Sequence, residues 1–155
     1  KEVATYDEKP EMSAPEVGRR LADAVTGGGY DFILCNFANP DMVGHTGVLE
    51  AAIRAVETVD GCLGQALAAG ETVGATFLVT ADHGNCDVMK DPETGGPHTA
   101  HTLNPVPCVL VGGPAGVALH PGRLADVAPT VLALMGLAQP EAMTGRSLLD
   151  APAGG

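Results

Sequence analysis

Three short apolar runs constrain this chain more than any other feature. They are "DFILCNF" at 31–37, "ATFLVTA" at 75–81 and "PVPCVLVG" at 105–112, each set off by Gly, Pro or Asn. A nearly continuous apolar run of this length fits a strand buried on both faces. Between and after them lie stretches with helical period. Alternation of strand and helix predicts an α/β fold, with a parallel or mostly parallel sheet covered by helices.

The helices announce themselves by their ends. In "SAPEVGRRLADAV", Ser13 and Glu16 have the S-x-x-E spacing of a capping box, Pro15 suits a first turn, and the glycines at 27–29 give a stop. Over residues 48–69, Val48, Ala52, Ala55, Val59, Cys62, Ala66 and Ala69 recur three or four apart, predicting an amphipathic helix closed by Gly70. "DVAPTVLALMG" offers Asp126 as N-cap, Pro129 in the first turn and Gly136 as the stop. Aromatic residues make up only 3% of the chain and Trp is absent, so the core must be built from Ala, Val and Leu. Its 155 residues suffice for one domain with a substantial core. The polar opening, residues 1–12, reads as a linker or extended lead-in; 13–150 form the body and 151–155 a tail.

The formal charge of −11 comes with no cluster of Lys and Arg, which argues against nucleic acid or an anionic membrane as partner. An anionic substrate would be repelled unless bound cations reversed the local field. With no run long enough to span a bilayer and no signal-peptide pattern at the start, the expectation is a soluble, cytoplasmic protein. Cys35, Cys62, Cys86 and Cys108 are widely spaced and lack a CxxC, as reduced thiols would be.

Each apolar run has histidine near one end. After the first comes "NFANPDMVGHTG", where Asn39 and Pro40 can start one helical turn that sets Asp41 and His45, four apart, on the same side. After the second come Asp82 and His83, which can share an ion only if the chain turns at once, as Gly84 permits. Ahead of the third, at the end of a long Gly- and Pro-rich loop, "PHTAHTLNPVP" supplies His98 and His101. Each pair taken alone also fits a plain reading, with the aspartates as caps and the histidines as surface residues. Together the loops hold four of the five histidines, and the Asp/His mix suits a divalent ion such as Mn²⁺ or Zn²⁺. His120 lies apart in "ALHPG", which reads as a turn. Two ions side by side would make a clamp for phosphoryl transfer, for which five good donors look too few.

"NFANPDMVGHTG", "TADHGN", "HTAHTLNPVP" and "DVAPTVLALMG", followed by "PEAMTGRSL", resemble in order the cofactor-independent (2,3-bisphosphoglycerate-independent) phosphoglycerate mutase family, of the alkaline phosphatase-like superfamily. The resemblance implies the C-terminal part of a metal-binding phosphatase domain from an enzyme that interconverts 3-phosphoglycerate and 2-phosphoglycerate in glycolysis through a phosphoserine, with two Mn²⁺ or other divalent ions. It implies Asp41, His45 and His101 on one ion and Asp82 and His83 on the other, with His101 preferred to His98 because "HTLNPVP" leads straight into the strand. Family members are far longer. Their serine nucleophile, a further metal aspartate and a substrate-gripping domain are expected elsewhere, because neither Ser13 nor Ser147 resembles the nucleophile. A full-length member is expected to be monomeric. A fragment alone would be inactive and prone to self-association. Two other readings stay open: a metal-dependent phosphomonoesterase or phosphopentomutase of the same superfamily, and a non-catalytic metal-binding module.

Overall fold

Residues 3–150 are described by a computed structural model, and the expected tail at 151–155 lies outside the described residues. Among the described residues, four α-helices and two strands follow in the order α1 (Ala14–Gly27), α2 (Asn39–Gly44), α3 (Leu49–Val73), β1 (Phe77–Thr80), β2 (Cys108–Val111) and α4 (Val127–Leu134). The chain divides into two compact units, Lys1–Ala75 with His83–Val106, and Thr76–Asp82 with Pro107–Gly155.

The first unit is built on small residues. Along α3, Ala51, Ala52, Ala55, Cys62, Ala66 and Gly70 are buried, and α1 answers with Ala14 and Gly18. A Cβ on Gly18 would stand 2.8 Å from Cys62 Cβ, so glycine is what lets α1 lie this close to α3. Val43 of α2 joins Ala51, Ala52 and Ala55 in the core, with Tyr6, Met12, Cys86 and Met89 packed against it. This matches the Ala-rich, aromatic-poor core that the composition required. The opening stretch is folded rather than extended. Tyr6–Glu8 form a 3-10 turn, Pro10 is buried, and the Asn39 amide donates to the Pro10 and Glu11 carbonyls, both at 2.8 Å.

Several local expectations require correction. Helix α1 begins and ends as its sequence signals suggest, but Ser13 makes no capping bond, and the Glu16 carboxylate is taken by Arg19 and Arg20 at 2.9 and 2.7 Å. Charged donors one turn away outcompete the reciprocal cap. Helix α3 runs through Gly70 to Gly74, which adopts the left-handed conformation at φ 68°. Gly70 is a buried small-residue position in the helix interior and not its stop. Residues 31–37 form no strand, and Tyr30, Phe32 and Leu34 are exposed. An apolar run becomes a strand only where another strand completes its ladder.

In the second unit β1 and β2 are antiparallel, pairing Phe77 with Val111 and Thr80 with Cys108. Among the described residues this is the only sheet, so the α/β class holds but the expected parallel direction does not. The connection between β1 and β2 carries no helix, and a parallel pair needs a crossover that is usually helical. Asp126 precedes α4 as its N-cap residue, yet its carboxylate does not cap that helix. It accepts the backbone N–H groups of Arg123 and Arg146, each at 2.9 Å, and so ties the C-terminal segment to the start of α4. Thr130, fully buried, continues the tie by donating to the Asp126 carbonyl at 2.7 Å and accepting from the Leu148 amide at 2.8 Å.

Candidate metal centre

Asp41 and His45 sit at opposite ends of one helical turn. Pro40 in the first turn of α2 fixes the start, and His45 closes the helix, so the side chains four apart meet on one face. His45 Nε2 lies 3.2 Å from Asp41 Oδ1. Its other nitrogen, Nδ1, lies 2.7 Å from the Thr99 carbonyl oxygen. A carbonyl only accepts, so Nδ1 carries a hydrogen, and Nε2 is the nitrogen turned toward Asp41. Gly47 allows this contact, since at φ 71° it accepts Pro97 and Thr99 where a Cβ would be 2.8 and 3.0 Å from them.

The two distant histidines reach the same place through one backbone staple. Gly84 and Thr102 form an isolated antiparallel bridge, with the Thr102 amide donating to the Gly84 carbonyl at 2.9 Å. Asp87 reinforces it, accepting from the Thr102 hydroxyl at 2.9 Å and from the Asn104 amide at 2.6 Å. Those bonds, that of Asn104 foremost, hold the Asp87 carboxyl below its ordinary value. The residues flanking the staple, His83 and His101, therefore stack, with ring centroids 3.8 Å apart.

His101 Nε2 lies 2.9 Å from Asp41 Oδ1 and 3.1 Å from His45 Nε2, closing a triangle of three donor atoms. His83 Nδ1 stands 4.0 Å from Asp41 Oδ1. The ligand atoms of Asp41, His83 and His101 all fall within 4.8 Å of one another, the arrangement a metal ion needs. Two donors at right angles about 2.1 Å from a divalent ion are about 3.0 Å apart, the size of the triangle's edges. Each corner is an atom that can offer an electron pair to a divalent cation. The residues present therefore fit a divalent ion. Burial pushes the Asp41 carboxyl up, but the Asn85 amide and the imidazoles of His45, His101 and His83 outweigh it and hold the group below its ordinary value.

Not every histidine or aspartate of the loops joins. Asp82 is exposed and falls in the second unit, and among the described residues it is not in the converging set. His98 is also outside that set, its amide held by the Met89 carbonyl at 3.1 Å. His120 faces its own neighbour, with Nδ1 3.0 Å from the Pro121 carbonyl oxygen. Sequence reasoning missed Asn85, whose amide donates to Asp41 Oδ1 at 2.8 Å and to the Asp41 carbonyl at 3.2 Å. The signal available was its place beside Gly84 in "TADHGN". Thr99, Asp87 and Thr102 were missed for want of any local signal.

The chain belongs to the Metalloenzyme superfamily, whose family model matches residues 1–139. Two relatives within it share a name. A 2,3-bisphosphoglycerate-independent phosphoglycerate mutase of Cereibacter sphaeroides (strain ATCC 17029 / ATH 2.4.9) is 67% identical over 149 residues, which is 96% of this chain and 29% of the relative. The protein of the same name from Ruegeria pomeroyi is 67% identical over 147 residues, again 29% of its length. Among solved structures, Leishmania mexicana phosphoglycerate mutase at low cobalt concentration superposes with a TM-score of 0.88 at 36% identity, over 97% of this chain and 30% of that one. The chain thus spans less than a third of the length of the relatives it matches. Among the described residues no helix is long and apolar enough to cross a membrane.

Proposed function

We propose that this chain forms the metal-binding part of a phosphoglycerate mutase that needs no bisphosphoglycerate and interconverts 3-phosphoglycerate and 2-phosphoglycerate in the cytoplasm. The observation that carries the reading is the convergence of Asp41, His45, His83 and His101 on one point, in a chain whose relatives bear that enzyme's name. Asp41, His45 and His101 hold one divalent ion, Mn²⁺ by preference. His83, with Asp82 as the chain partner proposed from the motif, serves a second. A pair of bound ions neutralises phosphoryl oxygens and favours an oxygen nucleophile.

The residues of this chain do the holding and orienting. The Thr99 carbonyl keeps His45 in the tautomer whose Nε2 lone pair faces the ion. The Gly84–Thr102 bridge keeps His83 and His101 in register. Neither serine lies among these donors: Ser13 precedes α1, and Ser147 Oγ accepts the Leu149 amide at 3.2 Å. On this reading the nucleophile and the groups that grip phosphoglycerate belong to other parts of the enzyme, and no turnover is expected of this chain alone.

The test is a chimera in which this chain replaces the matching residues of the Cereibacter mutase. It should isomerise 3-phosphoglycerate with added Mn²⁺, and His101→Ala within it should abolish turnover. A folded chimera that only releases phosphate would transfer the reading to a phosphomonoesterase. One that isomerises after complete metal removal would overturn the metal role.

A further inference from the structure

Asn85 is 95% buried by its 5% exposure, and its side chain is spent on a single residue. Nδ2 donates to Asp41 Oδ1 and to the Asp41 carbonyl, two acceptors on the first turn of α2. Both partners only accept, so the amide orientation is fixed by chemistry. Its Oδ1 is left buried with no donor among the described residues. An unmet buried acceptor costs stability, so a purely structural clamp would not be expected to keep one.

Room for this contact is made by Gly44. A Cβ there would lie 2.8 Å from Asn85 Cγ and 3.0 Å from Cys86 Sγ, so any other residue would push the loop away from α2. Beside Asn85, the Cys86 thiol donates to the Pro40 carbonyl at 2.8 Å. Burial, then the charges of Asp41 and Asp87, push that thiol's pKa up, which keeps the hydrogen in place. The loop therefore grips α2 at Pro40 and Asp41 together.

Resting on the metal reading above, we propose that Asn85 is a positioning residue that fixes the Asp41 carboxylate for the ion, with Gly44 as the gap that admits it. A free aspartate rotates about two side-chain bonds. The amide selects the state in which Oδ1 faces His45 and His101 Nε2. An amide suits the task better than Lys or Arg, because it orients the carboxylate and leaves its charge for the cation.

The experiment titrates Co²⁺ into the chain and follows the visible spectrum of the bound ion, with unfolding of the metal-free protein measured in parallel. Asn85→Ala should weaken binding about 10- to 100-fold and alter the spectrum, as loss of an outer-shell partner does. Gly44→Ala should do the same from the opposite side, and it carries the test if Asn85→Ala does not fold. In the Asn85→Ala background Gly44→Ala should add little. Thr130→Val, a change far from the donors in sequence, controls for lost stability. If the unaltered chain takes up no Co²⁺, the metal reading and this proposal both fall. If it binds while Asn85→Ala binds as tightly with the same spectrum, or weakens no more than Thr130→Val, only the positioning role falls.

Discussion

Replacing Thr130 with Val or Ser separates hydrogen bonding from packing at the α4 tie. Thr130 is wholly buried, and its hydroxyl donates to the Asp126 carbonyl and accepts from the Leu148 amide. Valine preserves the shape and removes the hydroxyl. The Asp126 carbonyl is at the start of α4 and keeps its helical partner, whereas the Leu148 N–H, on a residue only 4% exposed, is orphaned. An orphaned buried donor costs about 1–3 kcal/mol, and the net loss of the second bond adds about 0.5–1.5 kcal/mol. Serine keeps both bonds and loses one methyl, worth about 0.8 kcal/mol plus a small cavity. The expected order is therefore Thr130→Val worse than Thr130→Ser, although serine leaves the larger void. Urea unfolding gives the magnitudes, and amide exchange at Leu148 gives the site. A greater loss from serine, or unchanged protection of the Leu148 amide in Thr130→Val, would refute the bonding argument.

Further expectations follow from the same geometry. Backbone N–H groups of Arg146 and Arg123, together with the guanidinium charges, hold the Asp126 carboxyl below its ordinary value. Its contribution to stability is complete above the unfolded carboxylate value of about 3.9 and is lost as pH falls through the lower folded value, so Asp126→Asn should flatten acid unfolding in that range. Gly61 and Gly64 lie within α3 with open space where a Cβ would go, so alanine at either should stabilise by about 0.5–1 kcal/mol. Gly18→Ala should destabilise by about 1–3 kcal/mol, because its Cβ meets Cys62 across the helix pair; thermal melts would show the opposite signs. By calorimetric titration with Mn²⁺, His101→Ala should cost more than the roughly 10- to 100-fold expected for an outer-shell residue, whereas His98→Ala should leave affinity unchanged.

What could be read in advance was what local chemistry decides. Pro15 and the glycines after α1 marked its ends, Asn39 and Pro40 marked α2, and the three- and four-residue spacing found most of the buried face of α3. The side-chain caps were not legible, because whether Glu16 turns back to Ser13 depends on Arg19 and Arg20 competing for it. Strand direction was not legible either, since an apolar run says nothing of which neighbour completes its ladder. At the candidate site, "DMVGH" brought Asp41 and His45 together by helical period alone. The meeting of His83 with His101 depends on the Gly84–Thr102 bridge, a through-space pairing that no spacing rule reveals. Asn85 escaped notice for the same reason, as it lies in a loop and its partner lies on α2, 44 residues earlier in the chain.

That bridge also divides the long loop by what each part can tolerate. Beyond it, Lys90 and Pro97 pair again, and the turn between them is closed by Asp91, whose carboxylate accepts the Glu93 and Thr94 amides at 2.9 and 2.8 Å. Lengthening a flexible loop costs only about 0.6 kcal/mol for each doubling. Residues 92–96 thus form a detachable tip, where an inserted reporter peptide or a site for chemical labelling would be borne by the second pairing and leave the first, with its two histidines, undisturbed.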